Sequence, residues 1–362
     1  MLLEMKTKKT MKDPLHIRTD AKFDDIADVL RKELVAGKWA PGAKMPTWTE
    51  MCTRFDVGRP TLTRALNILK AEGFIIAQST RGTYVAEQLP NLHRYALLFS
   101  FRRPSANEPG WNLFHAALSQ QAKAGNLANG DYVDPIFGAQ RCPGNLPTLT
   151  ILKQSKIRSL AGILLDFDPS LAELQREAKV PVVSLGWDEE APLPYTVSHD
   201  WRLFEKMAAE NLAKEGAKRV AVLSSHPAIA EGFAKSAAAK GLECPAEWQQ
   251  TVASAKWPET VRHLVHLMFS GRAGRIPDGF VVADDNLLET ALAGIADAGV
   301  QPGRDVRVIA HGNLPAVKGE IAGVRRLCFS AKALLEAAIR LAKEVREKGI
   351  PPRHDLIAPE FL

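Results

Sequence analysis

Apolar residues between positions 23 and 73 recur at the spacing of three short helices. In the first helix they are Phe23, Ile26, Ala27, Leu30, Leu34 and Val35. Asp20 is placed to cap its start and Gly37 to end it. The second helix follows Thr47, and Glu50 stands three residues later, as in a capping box. The third helix begins at Pro60, stops at Gly73 and has one apolar face, formed by Leu62, Ala65, Leu66 and Leu69.

Two short apolar runs follow these helices. We predict strands at Phe74–Gln78 and Thr83–Glu87, separated by the turn residues of positions 79–82. Three helices and a β-hairpin in this order predict a winged helix-turn-helix.

Beyond residue 93, apolar runs typical of buried strands alternate with helical stretches. The predicted strands are Tyr95–Phe101, Tyr132–Phe137, Ala161–Asp166, Val180–Leu185, Arg219–Leu223, Gly279–Ala283, Val306–Ala310 and Val324–Phe329. The predicted helices span 111–124, 200–215, 257–270, 285–298 and 331–348. This alternation favours parallel sheets flanked by helices. Since about 270 residues exceed the needs of one such sheet, we expect an α/β domain with two lobes facing a cleft.

These patterns divide the chain into four segments. We expect a flexible tail at 1–18, an α+β winged-helix domain at 19–88, a linker at 89–93 and a two-lobed α/β domain at 94–362.

Charge is concentrated at the N-terminal end. The net charge of the chain is +6, and residues 1–90 hold 15 Lys and Arg against 11 Asp and Glu. This excess fits a polyanionic partner. The four cysteines form no C-x-x-C pair, which argues against a zinc site or a disulfide framework. No segment is typical of a signal peptide or a membrane span, so we expect a cytoplasmic protein.

Residues 23–86 resemble the GntR-type winged helix. The resemblance lies in GKWAPGAKMPT, in the helix RPTLTRALNILKAEGF and in the wing RGTYV. It implies binding to double-stranded operator DNA. Thr49 departs from the family pattern, which has an arginine at this position, and Gly58 and Thr80 depart from it as well. The operator sequence therefore cannot be transferred from relatives.

The candidate DNA-binding residues follow from this resemblance and from the chemistry of DNA. Arg59, Thr61, Thr63 and Arg64 lie near the start of the third helix, the end by which a recognition helix enters the major groove. Arg81 and Gly82 at the wing tip suit a close approach to phosphate or to the minor groove. Thr47 and Thr49 begin a helix whose free N–H groups suit a phosphate. For each arginine, a solvated surface charge is the alternative.

From about Tyr95 onward the chain resembles the LacI/GalR effector domain, which is similar to periplasmic sugar-binding proteins. The resemblance is diffuse and lies in segments such as AGILLDFDP, VPVVSLGWD and PDGFVVADDNLLETALAGIADAGV. A GntR-type domain joined to such a domain resembles the arabinose-responsive repressors. The resemblance implies a ligand between the lobes, at the carboxyl ends of the strands.

Candidate ligand-binding residues stand at those strand ends. They are Phe101, Arg102, Asp200, Trp257, Asp284, Asp285 and His311, with Asp285 the strongest and Asn313 near His311. An aromatic ring and carboxylates suit a sugar or related polyol. Ile229 stands where sugar-binding relatives carry an arginine, which weakens that expectation. The alternative for Trp257 is a core residue, and the alternative for Asp200 is a helix N-cap.

We therefore hypothesise a ligand-responsive transcription regulator, a repressor acting as a homodimer on operator DNA and controlled by a small-molecule effector. We expect no catalytic residue, no cofactor and no metal, because no enzyme motif is present and because His263 and His266 have no third ligand nearby in sequence. The alternative is a solute-binding or enzymatic α/β protein in which the N-terminal domain has a role unrelated to DNA.

Overall fold

A computed structural model describes most of the chain. The described residues are 23–78, 81–99, 112–137, 160–166, 180–186, 194–252, 258–271, 276–317 and 319–362. The predicted tail at 1–18 and the capping residue Asp20 lie outside them. The chain divides into two compact units, the first containing residues 1–94 with a short segment at 158–160, and the second the remainder.

The described part of the first unit is a winged helix. Its elements are α1 (Phe23–Val35), α2 (Trp48–Phe55), α3 (Arg59–Ala71), β1 (Ile75–Gln78), β2 (Gly82–Val85) and the short α4 (Pro90–His93). Their apolar faces enclose one core, in which Leu30, Leu34, Leu62, Leu69 and Phe74 are fully buried. The predicted helix-helix-helix-hairpin order is confirmed.

A buried ion pair joins α1 to the end of α3. The guanidinium of Arg31 binds both carboxylate oxygens of Glu72, with Nε–Oε2 and Nη2–Oε1 distances of 2.7 Å, and it also contacts Asp28. Both Arg31 and Glu72 are buried. Breaking such a pair leaves one uncompensated buried charge, which typically costs about 3–5 kcal/mol of stability.

The wing is stabilised from both sides of β2. Strands β1 and β2 are antiparallel, with Ile75 opposite Val85 and Gln78 opposite Gly82. The other edge of β2 pairs with the segment before α2, where the Met45 amide donates to the Thr83 carbonyl at 2.8 Å. Gly82 has a φ of 113°, a value that L side chains rarely adopt, so the wing tip requires a glycine here.

Some boundaries in the first unit differ from the sequence prediction. Helix α3 begins at Arg59, one residue before Pro60, and ends at Ala71 rather than at Gly73. Gly58 is its N-cap and has no side chain to accept a hydrogen bond from the first turn. Each wing strand is one residue shorter than predicted: β1 begins at Ile75 rather than Phe74, and β2 spans Gly82–Val85 rather than Thr83–Glu87 because pairing stops at Val85.

The second unit contains two mostly parallel sheets. The elements are β3 (Arg94–Leu98), α5 (Leu113–Ala124), β4 (Tyr132–Ile136), β5 (Gly162–Asp166), β6 (Val182–Leu185), β7 (Tyr195–His199), α6 (Trp201–Lys214), β8 (Val220–Ser224), α7 (Pro227–Ala238), β9 (Gln249–Thr251), α8 (Pro258–Phe269), β10 (Gly279–Val282), α9 (Leu288–Asp297), β11 (Arg307–Leu314), β12 (Val324–Ser330), α10 (Ala331–Lys348), β13 (Arg353–Ile357) and β14 (Glu360–Phe361). One sheet has the order β13-β7-β6-β5-β3-β4 and the other β14-β12-β11-β10-β8-β9. The predicted two-lobed α/β fold is confirmed.

The chain passes between the two sheets three times. It leaves the first sheet after His199, returns through α10 after Ser330, and crosses again between Ile357 and Glu360. The first and third passages are hydrogen-bonded, since the Asp200 amide donates to the Ile357 carbonyl at 2.9 Å. Residues at these passages therefore belong to the region where the two lobes meet.

Several elements of the second unit were not predicted. Strand β7, helix α7 and the short strands β9, β13 and β14 are absent from the sequence-based assignment. Helix α7 follows directly from the loop after β8, with His226 as N-cap and Pro227 in the first turn. Among the described residues, no helix combines the length and apolarity that crossing a membrane requires.

Candidate functional site

Two adjacent aspartates follow β10 and are held by their neighbours. Asp284 caps a 3-10 turn at Asp285–Leu287, and its Oδ1 accepts hydrogen bonds from the Asn286 amide at 2.9 Å and from Asn286 Nδ2 at 2.8 Å. Asp285 Oδ2 accepts from the amide of Asn313 at 3.0 Å and from its Nδ2 at 2.9 Å. The two carboxylates are therefore fixed in direction before any ligand binds.

The second oxygen of Asp285 faces a histidine. Oδ1 lies 3.7 Å from His311 Nδ1, beyond hydrogen-bonding distance. Within the part of the chain that the structure describes, this oxygen and both ring nitrogens of His311 are buried and form no hydrogen bond. Burial raises the pKa of Asp285, and it lowers the pKa of His311 although the nearby aspartates oppose that shift. Burial thus disfavours the charged form of each group.

Aromatic rings enclose the same region. His199, at the end of β7, stacks on Phe329 of β12 with ring centroids 4.0 Å apart and 3° between the planes. The ring centroids of Trp201 and His311 are 4.9 Å apart. Phe114 contacts His199 edge-on, with ring centroids 5.3 Å apart. Burial lowers the pKa of His199 well below its usual value, and His311 contributes to the shift. Burial therefore disfavours the charged form of His199 as well.

These groups border a cavity of about 170 Å³ between the lobes of the second unit. The described lining residues are Asn112, Phe114, Gly186, His199, Trp201, Ser225, His226, Ile229, Ala283, Asp284, Asp285, Asn286, His311 and Asn313. Asn286 connects the two walls, because its Oδ1 accepts a hydrogen bond from the Leu113 amide at the start of α5 at 2.9 Å. The cavity lies at the carboxyl ends of the strands, where α/β folds bind ligands.

The structure brings together three of the seven predicted ligand-binding residues. Asp284, Asp285 and His311 line the cavity. Asp200 does not belong to the lining; it is the N-cap of α6, and its Oδ1 accepts from the Leu203 amide at 2.9 Å. Phe101, Arg102 and Trp257 lie outside the described residues.

The sequence analysis missed most of the aromatic wall. His199 and Trp201 flank Asp200. They are not among the predicted ligand-binding residues, because the sequence pattern did not identify β7 as a strand. Its pattern, Tyr195-Thr-Val-Ser-His, alternates side chains in a way that would have placed His199 at a strand end. Phe114 and Asn286 come from different lobes, so only the tertiary structure shows that they share one cavity.

The predicted DNA-binding residues lie on the solvent side of the winged helix. Thr49, Arg59, Arg64 and Arg81 are exposed, and Thr61 and Gly82 are partly exposed. The Arg59 guanidinium lies 5.8 Å from the centroid of the Trp48 ring and that of Arg64 lies 5.7 Å from Phe23.

Two of the threonines already have intramolecular partners. Thr47 and Glu50 form the predicted capping box, in which the Glu50 carboxylate accepts from the Thr47 amide at 2.7 Å. The Thr63 hydroxyl donates to the Arg59 carbonyl at 2.8 Å. Because the Glu50 carboxylate stands at the N-terminus of α2, it repels a phosphate there, and the capping box weakens the sequence-based argument for Thr47.

Comparison with known proteins agrees with this architecture. Residues 22–85 match the family described as bacterial regulatory proteins of the gntR family, and residues 209–358 match a periplasmic binding protein-like domain. The chain combines a GntR-type winged-helix domain with a periplasmic-binding-protein-like domain. Both resemblances inferred from the sequence are thereby confirmed at the level of domains and fold.

Two curated relatives match over a short part of the chain. The uncharacterized HTH-type transcriptional regulator YurK of Bacillus subtilis is 35% identical over 72 residues, which cover 20% of this chain and 29% of that protein. The mannosyl-D-glycerate transport/metabolism system repressor MngR of Escherichia coli is 32% identical over 75 residues, covering 21% of this chain and 31% of that protein. The matched region thus spans less than a third of either relative.

A solved structure is similar to this chain over most of its length. The transcriptional regulator CelR in complex with cellobiose has a TM-score of 0.56 and 16% sequence identity, and the match covers 85% of this chain and 90% of that one. At this level of identity the likeness establishes the fold.

Proposed function

We propose that this protein is a transcription regulator whose winged helix binds operator DNA and whose operator affinity is set by a small molecule in the cavity between the lobes. The observation that carries the proposal is the presence, in one chain, of a winged helix with exposed arginines at α3 and the wing and a cavity with buried polar groups that have no described partner. Either feature alone is compatible with other roles, whereas the two together are typical of a DNA-binding domain joined to an effector-binding domain.

The DNA-binding face is proposed from exposure and charge. Arg59 in the first turn of α3 is positioned for a base edge, since arginine can bind guanine with two hydrogen bonds. Arg64 and Arg81 supply charge for phosphates, and Gly82 permits close approach of the wing backbone. Thr49 and Thr61 offer hydroxyl groups to the same face, while Thr63 and Thr47 contribute less because their hydroxyls are engaged within the domain.

We further propose that the protein acts as a homodimeric repressor. The relative MngR is named a repressor, and dimeric winged-helix regulators bind operators of matching two-fold symmetry. A ligand that binds one orientation of the lobes more tightly than another changes the dimer geometry and so the spacing of the two winged helices. Couplings of this kind typically change affinity about 5- to 150-fold.

Asp284, Asp285 and His311 are the proposed ligand contacts, with Asn313 orienting Asp285. Support for a polyol or sugar-like ligand comes from the density of hydrogen-bonding groups around aromatic rings, and from the cellobiose complex of the structural neighbour. Ile229 lines the cavity with an apolar side chain. This wall therefore offers packing rather than a charged contact.

Operator binding is tested by selecting sequences from genomic fragments and titrating the selected duplex by fluorescence anisotropy. Arg59→Ala should weaken binding about 5- to 150-fold and relax the preference at one base position, as expected for loss of a bidentate contact. Arg304→Ala is the matched control, because it removes an exposed arginine of the second unit. Equal affinity of the wild type for selected and scrambled duplexes at 150 mM salt would contradict the proposed function.

A further inference from the structure

The described lining of the cavity contains two carboxylates and no lysine or arginine. Asp284 and Asp285 are its two charged residues, and the remaining polar groups are asparagine, serine and histidine side chains. The cavity therefore presents negative charge and hydrogen-bond acceptors to whatever enters it. Such a surface repels anions and favours ligands that bring donors or positive charge.

Like His311, Asp285 has a buried polar atom that forms no hydrogen bond among the described residues. Its side chain is only 4% exposed, and both hydrogen bonds from Asn313 go to Oδ2. Oδ1 remains without a donor among the described residues. A buried carboxylate oxygen without a donor is costly, so a ligand that supplies one gains affinity at this atom.

The nearby cationic candidates do not meet that requirement. His311 is 3.7 Å from Oδ1, and its burial favours the neutral ring. Arg326 directs Nη1 to the His311 carbonyl at 3.0 Å, and its charge acts on Asp285 without forming an ion pair with either aspartate among the described residues. A ligand with a positive charge would thus supply what the described protein groups do not.

Aromatic rings provide the second half of a cation site. Trp201 and Phe114 line the same cavity as the aspartates. The face of an aromatic ring attracts an ammonium group, most strongly for tryptophan and when water is excluded. Carboxylates and rings around one small cavity discriminate a cation from a neutral molecule of equal size.

We propose that the effector of this cavity is a small molecule carrying a protonated amine, which binds Asp285 Oδ1 beside Asp284 and packs on Trp201 and Phe114. An amino sugar or an amino polyol has this chemistry, because its hydroxyl groups can use the amide groups of Asn112 and Asn286. The proposal rests on the proposed function of the cavity as the effector site. A neutral polyol would satisfy the hydrogen bond to Oδ1 but leave the charge uncompensated.

Matched pairs of ligands test the proposal directly. Isothermal titration of the full-length chain at pH 7 would compare glucosamine with glucose, 1-amino-1-deoxyglucitol with glucitol, and putrescine with 1,4-butanediol. Each pair differs in the replacement of hydroxyl by ammonium. We expect at least one amine to bind about tenfold or more tightly than its neutral partner, as for a charge-assisted hydrogen bond.

Two variants locate the binding. Asp285→Asn keeps the shape and an acceptor toward Asn313 but removes the charge, and it should lower amine affinity about 10- to 100-fold. Asp297→Asn is the control, because it removes a carboxylate that pairs with Arg262 on the surface of α8 and α9. If no amine of the panel binds more tightly than its neutral partner, or if Asp285→Asn binds the amine as the wild type does, the proposal is wrong.

The ligand-binding test and the operator-binding test have independent outcomes. Amine binding is measured without DNA, whereas operator binding is measured without ligand. Preferential binding of a neutral polyol would contradict the proposal of an amine effector but not the proposal of a transcription regulator. Amine binding by a chain that shows no operator preference would support the cation site and contradict the regulator.

Discussion

At the scale of single residues, burial controls the chemistry of the cavity. Burial raises the pKa of Asp285 and lowers the pKa of His311 and of His199. In each case it favours the neutral form of the group. Asn313 donates two hydrogen bonds to one oxygen of Asp285, and the other oxygen has no donor among the described residues. The site is thus organised around one carboxylate whose charge and direction are set by its neighbours.

His199 makes the stability of the second unit depend on pH. Because the folded pKa is lowered, the unfolded chain takes up a proton near pH 6.5 that the folded chain does not. Stability should therefore fall as the pH drops below about 6.5, by up to about 1.4 kcal/mol per pH unit, until the folded pKa is reached. Above pH 7 this contribution is constant.

The variant His199→Phe isolates this effect. It keeps an aromatic ring against Phe329 and removes the titrating group. Urea unfolding at pH 7.5 and pH 5.5 should show a smaller loss of stability for the variant than for the wild type. An identical pH dependence of the two proteins would exclude His199 as its source.

At the scale of elements, the capping box at the start of α2 is the clearest local device. Thr47 and Glu50 satisfy each other's backbone amides. Thr47→Ala should destabilise the winged helix by about 1 kcal/mol, since it removes one of these two hydrogen bonds. Thermal unfolding followed by circular dichroism measures the change, and Thr49→Ala, which alters an exposed residue of the same helix, should be close to neutral. Equal stability of the two variants would mean that the cap contributes nothing.

The sequence predicted elements well where one local signal dominates. The capping box predicted α2, and the apolar stripes predicted α1, α3 and the full extent of α10. It predicted Asp284, Asp285 and His311 as neighbours because parallel strands end at one edge. The sequence did not predict β7 and β13, which pair with each other across about 158 residues of chain, as Arg353 does with Tyr195.

At the scale of the whole molecule, the passages between the lobes coincide with the aromatic wall of the cavity. His199 is the last residue of β7 and Phe329 the last but one of β12, so both lie next to a passage, and their rings stack on one another. Asn286 joins the walls through the Leu113 amide. A ligand that contacts these residues therefore acts on the groups that set the relative orientation of the lobes.

Asn286 should accordingly influence how the lobes close. Asn286→Ala removes the hydrogen bond to Leu113 and the donor to Asp284. We expect faster amide hydrogen exchange at the start of α5 and a weaker ligand affinity, by about 5- to 10-fold for one lost hydrogen bond. Unchanged exchange in α5 would show that this contact does not restrain the lobes.

The most direct test of the account is a titration of the selected operator with the full-length protein, with and without a saturating concentration of the tightest ligand from the matched panel. The account predicts that ligand changes the operator dissociation constant about 5- to 150-fold in the wild type. It predicts a smaller change for Asp285→Asn at a ligand concentration that saturates the wild type but only partly occupies the variant. An operator dissociation constant that is the same with and without bound ligand in the wild type would contradict it.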